Sequence, residues 1–416
     1  VTPVISAAVT APVVGPGAGE VPYVLGGFVP VTGEAPSVVG EFGQGSGEVP
    51  SALGTFGPVR VVRADPAAAL VGAWRAAAGT GSTHHLVVRA GTELAPGFTA
   101  ELARAVAGRP RAALVLSAAG GGSWNAGAVR LAALRGCGWA AAVPQDCLSP
   151  AAVLLPSGAA LAFAGFAAGA LAAGAAPGGL LPAFARRHRL DLLLHVGGLA
   201  ASPASPGAPP RPSAAECAGA AGRTSGGASD LVSPLPEVLP RLSGGRALIS
   251  LWDAGTATWR QASWTGHMAR SGRNWPVAAP AAAFVAVTDR PTPSARERVL
   301  PLTEVVRYGL ALGTVLGRAP VETAAPALRP CLCAAVLDAA GPVPAPEWPD
   351  EWTDELTDVL WRAVGVGARL RSNHGVERWP AEELRALPAD APPCGGPEPA
   401  QPPPPGGTRP SPTPRP

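Results

Sequence analysis

Lysine is absent from the 416 residues, and all 32 basic side chains are arginine. That excludes a Schiff-base amine and a P-loop lysine. Aromatic residues make up 5% and charged residues 15% of the chain, against 47% hydrophobic residues that are largely alanine. A chain of this length has ample material for a core, but each buried position contributes modest apolar area. The net charge is +3, with no arginine run and no interleaving of arginine with aromatics, so no nucleic-acid partner is expected. Six cysteines are too few for a disulfide framework at this length. The close pair Cys331 and Cys333 is spaced too tightly for a zinc knuckle, so incidental thiols are expected. Neither a His-Glu-x-x-His nor a Gly-x-Ser-x-Gly pattern occurs. No positively charged n-region opens the chain, so a secretory leader is not expected and a cytoplasmic location is. Residues 147–185 carry no charge and are long enough to span a bilayer. Pro150, Pro156, Pro177 and Pro182 interrupt them, and alanine is barely apolar, which favours a buried strand and helix over a membrane span.

What the chain has in abundance is glycine and proline, 53 and 50 residues. Near the N-terminus they form a repeat: Gly19-Glu20-Val21-Pro22, Gly33-Glu34-Ala35-Pro36 and Gly47-Glu48-Val49-Pro50 recur every 14 residues, with Phe28, Phe42 and Phe56 in register. Residues 1–57 are therefore expected to be a low-complexity segment, with order beginning near Pro58. Strands are expected at 59–62, 84–88, 112–117 and 151–155, and helices at 66–78, 96–107 and 125–135. That alternation predicts an α/β domain over 58–275, a mostly parallel sheet flanked by helices. Residues 202–243, rich in Pro, Ser and Gly, read as an insertion, and 247–252 returns to strand character. A helical extension is expected over 276–388, with helices at 294–318 and 350–371, followed by a disordered Pro-rich tail at 389–416.

The run His84-His85-Leu86-Val87-Val88, followed by Arg89-Ala90-Gly91-Thr92-Glu93-Leu94-Ala95-Pro96-Gly97-Phe98, carries a resemblance. Gly122-Ser123-Trp124-Asn125 leading into Ala128-Val129-Arg130-Leu131 adds to it, as do Leu148-Ser149-Pro150 and Val153-Leu154-Leu155-Pro156. Over 51–264 the chain resembles actinobacterial glycosyltransferase-like proteins of the nucleotide-diphospho-sugar transferase (GT-A, Rossmann-like) fold. In that group a strand like 86–88 ends in aspartates, and a divalent metal bridges them to the diphosphate of a sugar nucleotide. Ala90 and Gly91 stand at those positions. A later strand ending in Glu-His in the family is matched by 192–199, which ends Val196-Gly197-Gly198.

The resemblance thus implies the scaffold without its metal-binding carboxylates, a pseudoenzyme that retains nucleotide-sugar or partner binding and takes no divalent metal. The remaining acidic candidates are Glu93 and Asp146. Arg89, Gly122, Ser123, Asn125 and Arg130 are the candidate diphosphate contacts, because arginine and a glycine loop before a helix can both hold phosphates. Two other readings stay open: an active, metal-independent transferase that holds the diphosphate with Arg89 or Arg130, and a membrane-associated accessory protein. His84 and His85 alternate along a strand and so face opposite ways, and His195 has no partner at metal-ligand spacing.

Overall fold

In the computed structural model the described residues are 4–12, 39–41, 52–53, 59–117, 124–143, 145–148, 150–201, 230–243, 246–256, 258–262, 302–317, 329, 332–333, 335–336, 350–374 and 381–388. They form an α/β fold around a large mixed sheet. Its strands are β1 (Ile5–Pro12), β2 (Val39–Glu41), β3 (Val59–Ala64), β4 (His84–Arg89), β6 (Ala113–Val115), β7 (Trp139–Ala141), β8 (Ala152–Pro156), β9 (Leu192–His195) and β11 (Val232–Ser233). They are arranged in the order β11-β7-β9-β6-β8-β4-β1-β3-β2. β3, β1, β4, β6 and β9 run one way and the other four run against them.

Both faces of the central strands are buried. Along β1, β4 and β6, the residues Ala7, Val9, Leu86, Val88, Leu114 and Leu116 join the cluster that includes Phe98 and Leu102 of α2 (Phe98–Gly108). Ala8, Val87, Ala113 and Val115 face the opposite cluster, built with α1 (Pro66–Arg75), α4 (Ser157–Ala172) and α5 (Pro177–His188). Strands sandwiched in this way read as unbroken apolar runs. On the second face Trp74 and Phe163 meet edge to face at 5.5 Å, as do Phe163 and Phe184 at 5.2 Å. α1 starts where its sequence says it should: Pro66 occupies the first turn, and the Asp65 carboxylate accepts from the amides of Ala67 and Ala68.

α3 (Trp124–Leu134) is buried along its whole length. It packs on the sheet through Val129, Ala132 and Ala133. Its other sides meet a three-stranded antiparallel sheet, β12 (Val238–Ser243), β13 (Arg246–Asp253) and β14 (Thr258–Ala262), and the pair α6 (Leu302–Leu316) and α7 (Asp350–His374). α8 (Ala381–Ala386) closes over that sheet through Leu384 and Leu387. A helix apolar all round is a buried one, and α3 joins the two halves of the fold.

Two boundaries differ from the sequence reading. Order begins at β1, not at 58, and β1 lies inside the sheet between β3 and β4. Its Ala-rich run has few of the bulky residues that announce a strand, because both its neighbours and both its faces are close-packed. The expected insertion 202–243 gives way at its end to β11 and β12. Pro240 obscured β12, and a proline is tolerated there because β12 is an edge strand. The repeats, apart from β2 and residues 52–53, and the Pro-rich tail lie outside the described residues. Among the described residues no helix is long and apolar enough to cross a membrane.

Candidate functional site

β4 ends in the segment that carries the resemblance. Thr10 of β1 stands opposite Arg89. The Arg89 amide donates to Ala151 at 2.8 Å, and that of Ala90 to Thr10 at 2.8 Å. The chain then turns at Gly91, whose φ of +74° favours glycine. The short strand β5 (Glu93–Leu94) follows and pairs antiparallel with β10 (Ala200–Ala201). Ser117 at the end of β6 bridges to Ala200 and accepts from the Ala151 amide at 3.1 Å, while the Leu199 amide donates to Leu116 at 2.6 Å. Thr92 and Ser117 are buried in this web; Arg89, Gly91 and Glu93 are exposed on it.

This edge lies where the chain reverses its direction of winding. From β1 it runs outward to β3, then returns across β1 to β4. In open α/β sheets the crevice beyond the carboxyl ends of strands at such a point is where ligands bind. Arg89 has no hydrogen-bond or ion-pair partner among the described residues, and neither has the Glu93 side chain. No group of three His, Cys, Asp or Glu residues able to hold a metal occurs among the described residues.

The other candidates lie elsewhere. Asp146 is 1% exposed. Its carboxylate accepts from the Asn125 amide at 2.6 Å and the Cys147 amide at 2.9 Å, and the Asn125 side-chain oxygen accepts from Val143 at 2.7 Å. The start of α3 is therefore already capped by a carboxylate that belongs to the chain. Arg130 is 6% exposed within α3, which removes it from a solvent-facing clamp. Gly122 and Ser123 lie outside the described residues. Arg89 and Glu93 are thus the only two of these candidates found at the crevice among the described residues.

The histidines also separate. His84 Nε2 donates to Pro110 at 3.0 Å on one side of β4, while His85 reaches Ala73 on the other. His195 at the end of β9 meets Trp139 edge-on at 4.9 Å, and the Arg109 guanidinium lies 5.3 Å from the same indole. Burial, then the charge of Arg109, lowers the His195 pKa to about 4, and its Nδ1 has no hydrogen-bond partner. Cys147 is disulfide-bonded, where incidental thiols were expected, and Cys137 and Cys333 remain thiols.

No family model matches the chain, no curated protein is similar to it, and no solved structure matches it. Sequence reasoning missed Ser6, which the fold sets against His85. Ser6 precedes the repeats in a stretch with no catalytic pattern, and only the pairing of β1 with β4 brings the two together.

Proposed function

We propose that this chain is a glycosyltransferase-like protein that binds a nucleotide diphosphate without a metal at the edge where β1 and β4 end, and has no metal-dependent turnover. One observation carries the reading: Arg89 stands exposed and without a partner among the described residues at the switch point of the sheet, in the turn where the resembling proteins hold their aspartates. A guanidinium offers a fixed fork of donors to phosphate oxygens, and a crevice without a competing carboxylate pair leaves it free to do so. The side chains of Ala90 and Gly91 offer no oxygen to a divalent cation, and Glu93 supplies one carboxylate where such ions take several oxygen ligands. Of the two arginines that could hold a diphosphate without a metal, Arg130 is buried, which favours Arg89.

Thermal unfolding of the full chain with UDP, GDP and ADP, each with and without Mn²⁺, tests the proposal. At a ligand concentration 100 times Kd, binding adds about 2.7 kcal/mol to stability, a shift of several degrees. We expect one nucleotide to stabilise the protein equally with and without Mn²⁺, and Arg89→Ala to abolish the shift. Absence of any shift overturns the binding site, and sugar transfer at an enzymatic rate with Mn²⁺ overturns the non-catalytic reading.

A further inference from the structure

β1 and β4, which end at the proposed crevice, begin at the opposite edge of the sheet on a cluster of hydroxyls around one imidazole. Ser6 stands opposite His85 in the parallel pairing, so both side chains rise on the same face. Ser6 Oγ is 2.7 Å from His85 Nδ1, and His85 Nε2 is 2.8 Å from the carbonyl oxygen of Ala73 in α1. A carbonyl only accepts, so Nε2 carries the proton, and Nδ1 of the neutral ring accepts from the Ser6 hydroxyl. Ser6 has then used its one hydrogen, so Ser82 Oγ, 2.9 Å away, donates to Ser6. Ser82 is in turn 2.7 Å from Thr80 Oγ1 and 3.1 Å from Ser157 Oγ. Ser6, Thr80, Ser82 and Ser157 are all half-buried, so the cluster has a side open to solvent.

The three-part arrangement has the form of an activated nucleophile: a hydroxyl, a base within hydrogen-bond reach, and a third group that orients the base. We propose that Ser6 is a nucleophile with His85 as its general base, forming an acyl-transfer site for small uncharged carboxylic esters. Ser6 Oγ adds to the ester carbonyl as its proton passes to His85 Nδ1. The tetrahedral intermediate collapses, breaking the bond to the alkoxy oxygen, which leaves as the alcohol with the proton from His85. Water, deprotonated by His85, then adds to the Ser6 ester, and the acid departs as Ser6 regains its proton.

Donors for the developing oxyanion are at hand. The Ser82 hydroxyl is released from Ser6 when Ser6 bonds to carbon. Ser157 opens α4 with no side chain among the described residues capping that helix, so its first-turn amides, Gly158 and Ala159 beside Ser157, lack both an intrahelical and a side-chain acceptor there. The surroundings specify an uncharged ester. Arg60, the charged group acting on the ring from β3, is turned to the Ala76 carbonyl at 3.3 Å. β1, α1 and α4 present hydroxyls, carbonyls and the Trp74 ring, 6.0 Å from His85. Exposed Val4 offers an apolar rim, its amide bonded to Thr83 Oγ1 at 3.1 Å. This site is independent of nucleotide binding, which is proposed for the other end of the same strands.

Treatment of the full chain with a fluorophosphonate probe, read by intact mass and peptide mapping, tests the assignment. We expect a single adduct on Ser6 of the folded protein, absent from Ser6→Ala and from heat-unfolded chain. His85→Gln should slow labelling by about 10²–10⁴-fold. Because burial lowers the His85 pKa, the labelling rate should rise with pH through a midpoint below the ordinary histidine value. No adduct on the folded wild-type protein, an adduct on another serine, or equal labelling of the unfolded chain overturns the proposal. The wild-type measurement decides even if His85→Gln does not fold.

Discussion

Asp146 shows how a carboxylate that could serve chemistry is claimed by the backbone. Its two oxygens close the start of α3 and the turn at Cys147, the first bond buried and the second half-buried. Replacing it by Ala leaves the buried Asn125 amide and the half-buried Cys147 amide without this acceptor, which should cost about 2 kcal/mol in urea unfolding. Asp146→Asn, which keeps an acceptor oxygen, should cost less. A midpoint unchanged in Asp146→Ala would free the residue for another role. His195 makes the complementary case for a base. It is held neutral in the fold with its pKa at about 4, against 6.5 in the unfolded chain. The unfolded state therefore binds the proton first as pH falls. The contribution is present above pH 6.5 and is lost between 6.5 and 4, amounting to about 3 kcal/mol over that window. His84 and His85 shift the same way, so His195→Gln should shallow the fall in stability between pH 6.5 and 4.5 without removing it. An unchanged slope in that variant would assign the acid sensitivity to other groups.

At the scale of elements, the sequence was most readable where one pattern persisted over a whole segment. The runs at Val59, His84, Ala113 and Ala152 became strands, and those at Pro66, Phe98, Trp124 and Asp350 became helices, with ends shifted by a few residues. β14 and α8 were missed because each depends on packing against β13. The candidate site was legible in part. Arg89 and Glu93 lie at the end of β4 because a strand and its turn are local features, whereas Asn125, Asp146 and Arg130 are buried in and around α3, a helix enclosed by long-range packing that no local pattern announces. The close crossing of α6 and α7 was equally hidden. A Cβ on Gly313 would lie 2.1 Å from the Val364 oxygen, and one on Gly367 would lie 2.2 Å from the Leu310 oxygen. Both obstacles are backbone, so the helices themselves would have to part. Gly313→Ala or Gly367→Ala should cost about 1–3 kcal/mol or more. Gly365, two residues from Gly367, meets only the tip of Arg369 at 3.7 Å. There alanine should be neutral or stabilise by up to about 1 kcal/mol through helix propensity. Equal thermal midpoints for the three variants would contradict the crossing.

For the whole molecule, the decisive element is the one that composition concealed. β1 contributes a six-residue register to β3 and another to β4, and it supplies residues to the cores on both faces of the sheet. It also carries one member of each proposed site, Thr10 beside Arg89 at one end and Ser6 beside His85 at the other. Removing it would expose the flanks of β3 and β4 as unpaired edges and open both cores, a loss comparable to the 5–15 kcal/mol that typically separates a folded domain from its unfolded chain. A chain beginning at residue 58, where sequence composition places the start of order, should therefore fail to unfold cooperatively in urea. A chain that retains residues 1–12 and 39–41 but replaces residues 13–38 with a Gly/Ser linker of equal length should keep a cooperative transition, because closure entropy depends mainly on the length of chain joining the two strands. If the chain beginning at residue 58 unfolded cooperatively with the wild-type midpoint, β1 would be dispensable, and both proposed sites would lose the strand that assembles them.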